Sequence, residues 1–270
     1  MLNISGLSLT FAPGTVNEVR ALRNIHLHIP EGSFTCIIGT NGSGKSTLLN
    51  TVAGSFLPDQ GSLILDGKDI THWPEFRRAG LIGRVFQDPF AGTAAQMSIA
   101  ENIVLAMRRG KPHPLTRAIS KHTKEEMAER VAMLRMGLED RLDNPIGSLS
   151  GGQRQALTLL MATWLKPRLL LLDEHTAALD PGSAAKVAAL TQEIIADHHL
   201  TAMMVTHSMQ QAVDLPDRII MMHKGQIVED YAGTEKKRVR VPDLLDTFSR
   251  VRKLELFDQS VALLMQEQYC

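Results

Sequence analysis

One short run constrains the fold more than any other part of the chain, because it joins a strand to a helix through several glycines. Its residues are Gly39, Thr40, Asn41, Gly42, Ser43, Gly44, Lys45, Ser46 and Thr47. Before it, Phe34–Ile38 is rich in β-branched and aromatic side chains and predicts a buried strand. After it, Leu48, Leu49 and Val52 recur at helical spacing, and Gly54 is placed to end the helix.

This run has the order of a phosphate-binding loop, in which glycine and four further residues precede Gly-Lys-Ser. Glycines let backbone N–H groups turn towards an anion, and the helix N-terminus adds a positive dipole end. Lys45 can reach the β- and γ-phosphates of a nucleotide, and the Ser46 hydroxyl can ligate Mg²⁺. The alternative is a glycine-rich turn with a chance lysine, and the flanking strand and helix argue against it. The run therefore predicts a nucleotide site.

Two carboxylates follow Leu169–Leu172, an apolar run short enough to be a central parallel strand. Ligands of open parallel sheets bind beyond the carboxyl ends of the strands, so Asp173 and Glu174 should face the phosphate loop. Asp173 suits the Mg²⁺ shell, and Glu174 suits a base that orients and deprotonates water. His207 ends the predicted strand Thr201–Thr206, where it would contact the γ-phosphate or be an ordinary surface histidine.

A second candidate anion site lies far along the chain from the first. Its residues are Ser150, Gly151, Gly152 and Gln153, and they open a predicted helix that runs from Gln153 to Leu165. Backbone N–H groups and a helix dipole face outward at such a start. An ordinary serine-capped helix is the alternative. One nucleotide bound to one chain does not require two such sites.

The other segments divide the chain into sheet and helical regions. Alternating polarity over Leu2–Ile29 and Gly61–Asp66 predicts a small antiparallel sheet, with a hairpin turn at Asp66 and Gly67. Leu81–Phe86 is the next predicted strand. A helical insertion at about 90–150 is then expected inside the α/β domain.

Capping boxes mark the helices of that insertion. Ser98 with Glu101 predicts one start, and Thr123 with Glu126 predicts another, before a helix through Met136. Further on, the basic run Glu235–Arg240 predicts a solvated face, or alternatively a contact with lipid headgroups. A helix is predicted from position 242, so we expect a domain over 1–240 and a helical extension over 241–270.

Composition limits the classes of partner. Lys and Arg together number 29, as do Asp and Glu together, so the formal net charge is zero. This balance does not indicate binding to nucleic acid. Two cysteines, Cys36 and Cys270, rule out a disulfide framework. The N-terminus lacks the pattern of a signal peptide, and no apolar stretch has the length of a membrane span. We expect a cytosolic chain that reaches any membrane through a partner.

In this order, up to about Tyr231, the motifs resemble those of the ATP-binding cassette (ABC) ATPase family. The matching positions are Gly39–Thr47 for Walker A, Gln87 for the Q-loop glutamine, Leu149–Gln153 for the signature, Leu169–Glu174 for Walker B, Ala178–Asp180 for the D-loop and His207 for the switch histidine. The resemblance implies an α/β fold: a P-loop NTPase core with a RecA-like parallel sheet, an antiparallel β subdomain and an inserted α-helical subdomain.

The resemblance also implies roles for individual residues. Lys45, Gln87, Glu174 and His207 would act in catalysis, with Ser46, Gln87 and Asp173 on Mg²⁺. ATP would contact the Walker A residues, the signature residues from Ser150 to Gln153 and four others, namely Phe11, Gln87, Asp173 and Asp180.

Two positions depart from a simple match. Phe11 is placed where the family stacks an aromatic ring on adenine, although Val16 or Val19 competes for that alignment. His175 stands where many members carry proline or alanine, and we expect it to be structural.

The implied partner is a second copy of this chain or a homologous cassette, packed head to tail. Each ATP would lie between the Walker motifs of one chain and the signature of the other. The implied function is the energy-coupling ATPase of a membrane transporter, closest to importers of amino-acid-like solutes. Its other partners would be integral membrane permease subunits and, indirectly, an extracytoplasmic solute-binding protein, with the chain peripheral on the cytoplasmic face of the membrane. The alternatives are a soluble ABC ATPase for cofactor assembly or DNA repair, and an exporter ATPase.

Phe90 and Met97 are apolar residues in the predicted loop after Gln87. Either they anchor that loop on the helical subdomain, or they line a groove that receives a short helix from a permease.

Overall fold

The computed structural model describes residues 1–110 and 119–251. The strands are β1 Leu2–Phe11, β2 Val19–Ile29, β3 Phe34–Gly39, β4 Gln60–Leu65, β5 Lys68–Asp69, β6 Ile82–Val85, β7 Leu169–Asp173, β8 Thr201–Val205, β9 Arg218–His223 and β10 Gln226–Ala232. The helices are α1 Lys45–Ala53, α2 Glu75–Arg78, α3 Ile99–Met107, α4 Lys121–Ala132, α5 Gly151–Thr163, α6 Pro181–Asp197, α7 Met209–Asp214 and α8 Gly233–Arg238. Residues 241–251 are also helical. None of these helices is long and apolar enough to cross a membrane.

Four of the first five strands form an antiparallel sheet in the order β2-β1-β4-β5. Leu65 pairs with Lys68 across the turn, where Asp66 and Gly67 have φ values of 51° and 75°. Such positive values at both central residues suit Asp-Gly and match the twist of a tight hairpin. The predicted antiparallel sheet and its hairpin are therefore confirmed.

A second, six-stranded sheet has the order β10-β9-β3-β8-β7-β6, in which β9, β3, β8, β7 and β6 run parallel. Alternate residues of its strands enter two cores. Ile37 and Leu171 pack with α1 and the antiparallel sheet, whereas Ile38 and Leu172 pack with the helices of the opposite face. Burial on both faces explains why Leu169–Leu172 reads as an unbroken apolar run. The α/β fold and the central parallel strand are confirmed.

Both predicted boundaries of α4 are wrong. The second capping box does not start α4, because the Ser120 hydroxyl accepts from the N–H of Thr123 and the helix begins at Lys121. It ends at Ala132 rather than at Met136, since Arg135 has a φ of 54° and cannot continue a helix.

The other helix starts follow their caps. The Ser98 and Glu101 box is confirmed at α3. Helix α5 begins at Gly151, two residues before the predicted start, because Ser150 is its N-cap.

Most of the basic run Glu235–Arg240 is exposed, as the predicted solvated face requires. Helix α8 includes most of that run, and the Lys236 ammonium donates to the Val213 carbonyl oxygen at 2.7 Å. The predicted helix near 242 is confirmed over 241–251, where Leu244 is buried. Cys270 and the rest of the predicted extension lie outside the described residues, and the division at 240 stays a prediction.

Candidate nucleotide-binding and hydrolysis site

The phosphate loop lies between β3 and α1, as the sequence predicts. A Cβ on Gly44, whose φ is 100°, would collide with the Ala21 carbonyl oxygen, and one on Gly39 would collide with that of Met222. These glycines therefore let the loop lie directly on neighbouring backbone. The Gly225 N–H also donates to the Ser43 carbonyl oxygen at 2.9 Å, so the β9–β10 turn supports the loop.

The start of α1 differs from the starts of the other long helices. Side-chain oxygens of Ser98, Ser120, Ser150 and Asp180 cap α3, α4, α5 and α6. Gly44 precedes α1, and no side chain of the described residues caps that helix. Its first N–H groups are therefore left for an anion.

The Lys45 side chain folds back onto the phosphate loop. Its ammonium donates to the carbonyl oxygens of Gly39 at 2.9 Å and Thr40 at 3.0 Å. Burial lowers the pKa of Lys45, and the nearby Glu174 and Asp173 partly offset this effect. An ammonium has three donors, so the observed contacts leave one for a phosphate.

Asp173 ends β7 and is largely buried. Burial raises the pKa of its carboxyl group, the Arg84 guanidinium opposes that shift, and the adjacent Glu174 adds to it. The Arg84 Nη2 atom lies 3.9 Å from the Asp173 Oδ2 atom. The Asp173 carboxylate and the exposed hydroxyl of Ser46 are the oxygen ligands that Mg²⁺ prefers, so these residues fit that ion.

Glu174 and His207 meet at the ends of two adjacent parallel strands. The His207 Nε2 atom lies 2.6 Å from the Glu174 Oε1 atom. Glu174 has a φ of 47°, and its N–H donates to the Val205 carbonyl oxygen at 2.9 Å. A strained backbone is thus held by the neighbouring strand, which fixes where the carboxylate points. The structure brings these two predicted residues together.

Gln87 is exposed just after β6, and with Asp173 and Ala178 it lines a cleft of about 370 Å³. The predicted Q-loop, Walker B and D-loop positions thus border one space. Asp180 is placed differently, because its carboxylate accepts from the Ser183 N–H at 3.0 Å as the N-cap of α6. Hydrogen bonds from the side chain of Ser183 and from its N–H lower the pKa of Asp180. A contact between Asp180 and nucleotide stays a prediction.

The signature residues line a different cleft. Ser150 and Gln153 form a capping box at the start of α5, and a Cβ on Gly151 would contact the Leu179 side chain. With Gly152 and α6 they border a space of about 630 Å³. The chain does not place them in the cleft of Gln87 and Asp173.

Phe11 ends β1, half-buried, with its ring centroid 5.2 Å from that of Phe56. Val19 lies directly across from it on β2 and is 54% exposed, whereas Val16 lies fully exposed in the turn. The position of Phe11 at the sheet margin fits its predicted role, which stays a prediction.

His175 is buried, and its Nε2 atom donates to the Thr191 hydroxyl at 3.0 Å. Burial lowers the pKa of His175 to about 4. The expectation of a structural histidine is confirmed.

Phe90 and Met97 have different neighbours in the structure. Phe90 is 61% exposed and covers the buried Arg154 guanidinium, which lies 4.0 Å from its ring centroid. Met97 lines a cleft beside α3 with Val104 and Leu105. Phe90 does not border that cleft, so a groove lined by both residues stays a prediction.

Sequence reasoning missed a group of hydrogen-bonded polar residues that lies next to His207, around the end of β8 and the start of α7. The Gln211 amide bonds the hydroxyls of Thr176 and Thr206, linking the segments after β7 and β8. Ser208 caps α7 through the N–H of Gln211. The serine cap after His207 was the one local signal for this helix.

Comparisons with known proteins agree with this geometry. Residues 22–177 match the model of the ABC transporter family. The tyrosine transport ATP-binding protein of Clostridioides difficile (strain R20291) is 40% identical over 249 residues, which cover 92% of this chain and 98% of that protein. The sulfate/thiosulfate import ATP-binding protein CysA of Synechocystis sp. is 36% identical over 221 residues, and this chain spans 58% of its length.

Solved structures show the same likeness. The dimeric post-hydrolysis structure of the ATP-binding cassette MJ0796 with ADP and Pi has a TM-score of 0.72 and 27% identity, covering 85% of this chain and 97% of that one. The ADP conformation of the cassette MJ1267 has a TM-score of 0.74 and 26% identity, covering 95% and 98%. The chain therefore belongs to the ABC transporter family, as an ATP-binding subunit that hydrolyses ATP.

Proposed function

We propose that this chain powers an importer of a small amino-acid-like solute by closing around ATP as a head-to-tail dimer. The observation that carries the catalytic part is the contact of Glu174 with His207 beside the uncapped start of α1. The solute class is supported by the 40% identical relative named for tyrosine transport, 98% of whose length is matched.

In this proposal the phosphates of ATP lie on the backbone N–H groups of Gly39–Thr47 and on Lys45. Ser46, Gln87 and Asp173 would hold Mg²⁺, which neutralises charge that develops on the phosphate oxygens. Glu174 orients a water molecule and takes its proton. His207 holds the Glu174 carboxylate in place and reaches the γ-phosphate.

The separate position of the signature supports the dimer. The start of α5 borders a cleft other than that of Gln87 and Asp173. Its capping box leaves the N–H groups of Gly151 and Gly152 unused, so we assign these groups to the ATP of a partner. That partner would be a second copy of the chain or a homologous cassette. ATP would then hold the two chains closed, and hydrolysis would release them.

A cavity of about 300 Å³ supports the membrane role. It lies between the nucleotide core and the helical region, bordered by Arg84, Phe86, Gly92, Leu105 and Met161. In this proposal a short helix from a permease subunit lies over the cavity and places apolar side chains in it. The chain would then lie at the cytoplasmic face of the membrane and meet the solute-binding protein only through the permease.

The test is Glu174→Gln, which keeps the shape of the side chain but cannot accept the proton. Hydrolysis should fall by about 10²–10⁴-fold with ATP binding retained, so light scattering should detect a trapped dimer. The control is Glu125→Gln, the same change at an exposed carboxylate of α4 outside the signature cleft, which should leave hydrolysis unchanged. Near-normal hydrolysis by Glu174→Gln would exclude Glu174 as the base.

A second change tests the assignment of the signature to the partner. Adding Ser150→Arg to Glu174→Gln should abolish the ATP-dependent dimer while each chain still binds ATP. A dimer that persists in the double variant contradicts the proposal that Ser150 contacts the partner's nucleotide.

A further inference from the structure

An aromatic pair lies at the margin of the antiparallel sheet. Phe11 is the last residue of β1, and Phe56 follows the end of α1. Their ring centroids are 5.2 Å apart, and their planes meet at 79°. This edge-to-face geometry is the favoured arrangement of two aromatic rings, so each ring restrains the rotation of the other.

The pair is not fully inside the core. Leu7 and Leu9 precede Phe11 on the same face of β1 and are buried, whereas Phe11 itself is half-buried. Phe56 is 37% exposed, and Val19, opposite Phe11, is 54% exposed. Phe11, Val19 and Phe56 thus form an apolar patch open to solvent, which we call the aromatic patch. A ligand that covers it gains the free energy of apolar burial.

The aromatic patch adjoins the phosphate loop. Phe11 packs against the core that includes Leu48 and Leu49 of α1. On β2, the Ala21 carbonyl oxygen touches the position where a Cβ of Gly44 would be. Val19 lies two residues earlier on that strand, a step of about 7 Å. A nucleotide whose phosphates lie on the loop can therefore place its base over the aromatic patch.

We propose that Phe56 is a positioning residue for the purine base of ATP, because its ring holds that of Phe11 in the orientation on which the base stacks. This rests on the proposed binding of ATP at the phosphate loop. Phe56 acts on the base and not on the phosphates, since it follows the far end of α1 from the phosphate loop.

The test compares ATP with inorganic triphosphate, which lacks a base, by calorimetry. Phe56→Leu keeps apolar volume but removes the ring, and it should weaken ATP binding by about 2- to 12-fold with triphosphate affinity unchanged. Phe56→Tyr keeps the ring and should restore ATP affinity. Phe11→Leu should also weaken the binding of ATP and leave that of triphosphate unchanged. Adding Phe56→Leu to it should cause no further loss of ATP affinity. The control Leu57→Ala, at an exposed neighbour, should change neither affinity.

The outcomes separate this inference from the proposed function. Equal weakening of ATP and triphosphate by Phe56→Leu would mean that the change acts through the fold, and it would overturn the inference. So would additive losses in the double variant, because Phe56 would then act without Phe11. If the wild-type chain bound neither ligand, the proposed nucleotide site itself would fail.

Discussion

At the scale of single residues, His175 shows that a neighbour of the catalytic carboxylate can belong to the core. It follows Glu174 directly, yet it is 1% exposed and donates to the Thr191 hydroxyl. That hydroxyl donates in turn to the Val187 carbonyl oxygen at 2.7 Å. The imidazole is therefore held neutral and joins the segment after β7 to α6.

His175 should make the protein less stable in mild acid. Its pKa is about 4 in the folded chain against 6.5 for the free group, so between these values the unfolded chain binds a proton that the folded chain does not. Its contribution to the free energy of unfolding is full above pH 6.5 and declines towards pH 4, by on the order of 3 kcal/mol. His175→Gln keeps a donor for Thr191 and should flatten this decline in urea unfolding at a series of pH values. An unchanged pH dependence would contradict the assignment.

At the scale of elements, the unpaired backbone groups at the two ends of α1 are treated differently. The N-terminus is left open for phosphate, whereas the C-terminus ends at Gly54 and meets the buried Arg78. The Arg78 guanidinium donates to the carbonyl oxygens of Thr51 at 2.7 Å and Val52 at 2.8 Å. Burial lowers the pKa of Arg78 to about 10, so it is still a cation at neutral pH and complements the negative end of the helix.

Arg78→Leu should destabilise the fold strongly. It would leave the carbonyl oxygens of Thr51, Val52, Thr71 and Trp73 without this donor. Unpaired buried acceptors cost about 1–3 kcal/mol each, so we expect a loss of about 3 kcal/mol or more in urea unfolding.

The matched control is Arg77→Leu, because Arg77 is the exposed neighbour on the same helix. This variant should change stability by less than about 0.5 kcal/mol. Similar losses for the two variants would show that the buried hydrogen bonds of Arg78 are not the cause.

At the scale of the whole molecule, the nucleotide site and the candidate docking cavity share one connection. The segment after β6 includes Phe86, which borders the cavity, and Gln87, which borders the cleft of Asp173. The Gln155 amide donates to the Phe86 carbonyl oxygen at 3.0 Å and ties this segment to α5. A movement of Gln87 on nucleotide binding would therefore move residues that border the cavity and residues that contact α5, the helix that begins at the signature.

Leu105→Asp tests the docking cavity, since Leu105 borders it and is 52% exposed. The isolated chain should fold and bind ATP, because the side chain already meets water. Co-purification with the membrane subunits of its transporter should fall, because docking would bury an aspartate without a partner. Leu245→Asp is the control, with the same 52% exposure on the C-terminal helix. Equal recovery of both variants would place the docking surface elsewhere.

Local patterns in the chain were enough to predict much of the fold and the positions of the site. The strand, loop and helix around Gly39–Thr47, the box at Ser98 and the pair Asp173 and Glu174 each depend on residues close in sequence. The box at Thr123 misled because Ser120, three residues earlier, caps the helix by accepting from the N–H of Thr123, which places Thr123 inside the first turn. Helix boundaries are sensitive to such competition between neighbouring caps.

The sequence by itself determined the order of the motifs and the parallel sheet, because turns, caps and apolar runs act over a few residues. Only the tertiary structure decided which side chains meet across the chain. The contact of Glu174 with His207, the bonds of Arg78 to the α1 carbonyl oxygens and the ring of Phe56 against Phe11 all join residues distant in sequence. Such contacts depend on how the two sheets and their helices pack, and no local pattern encodes that packing.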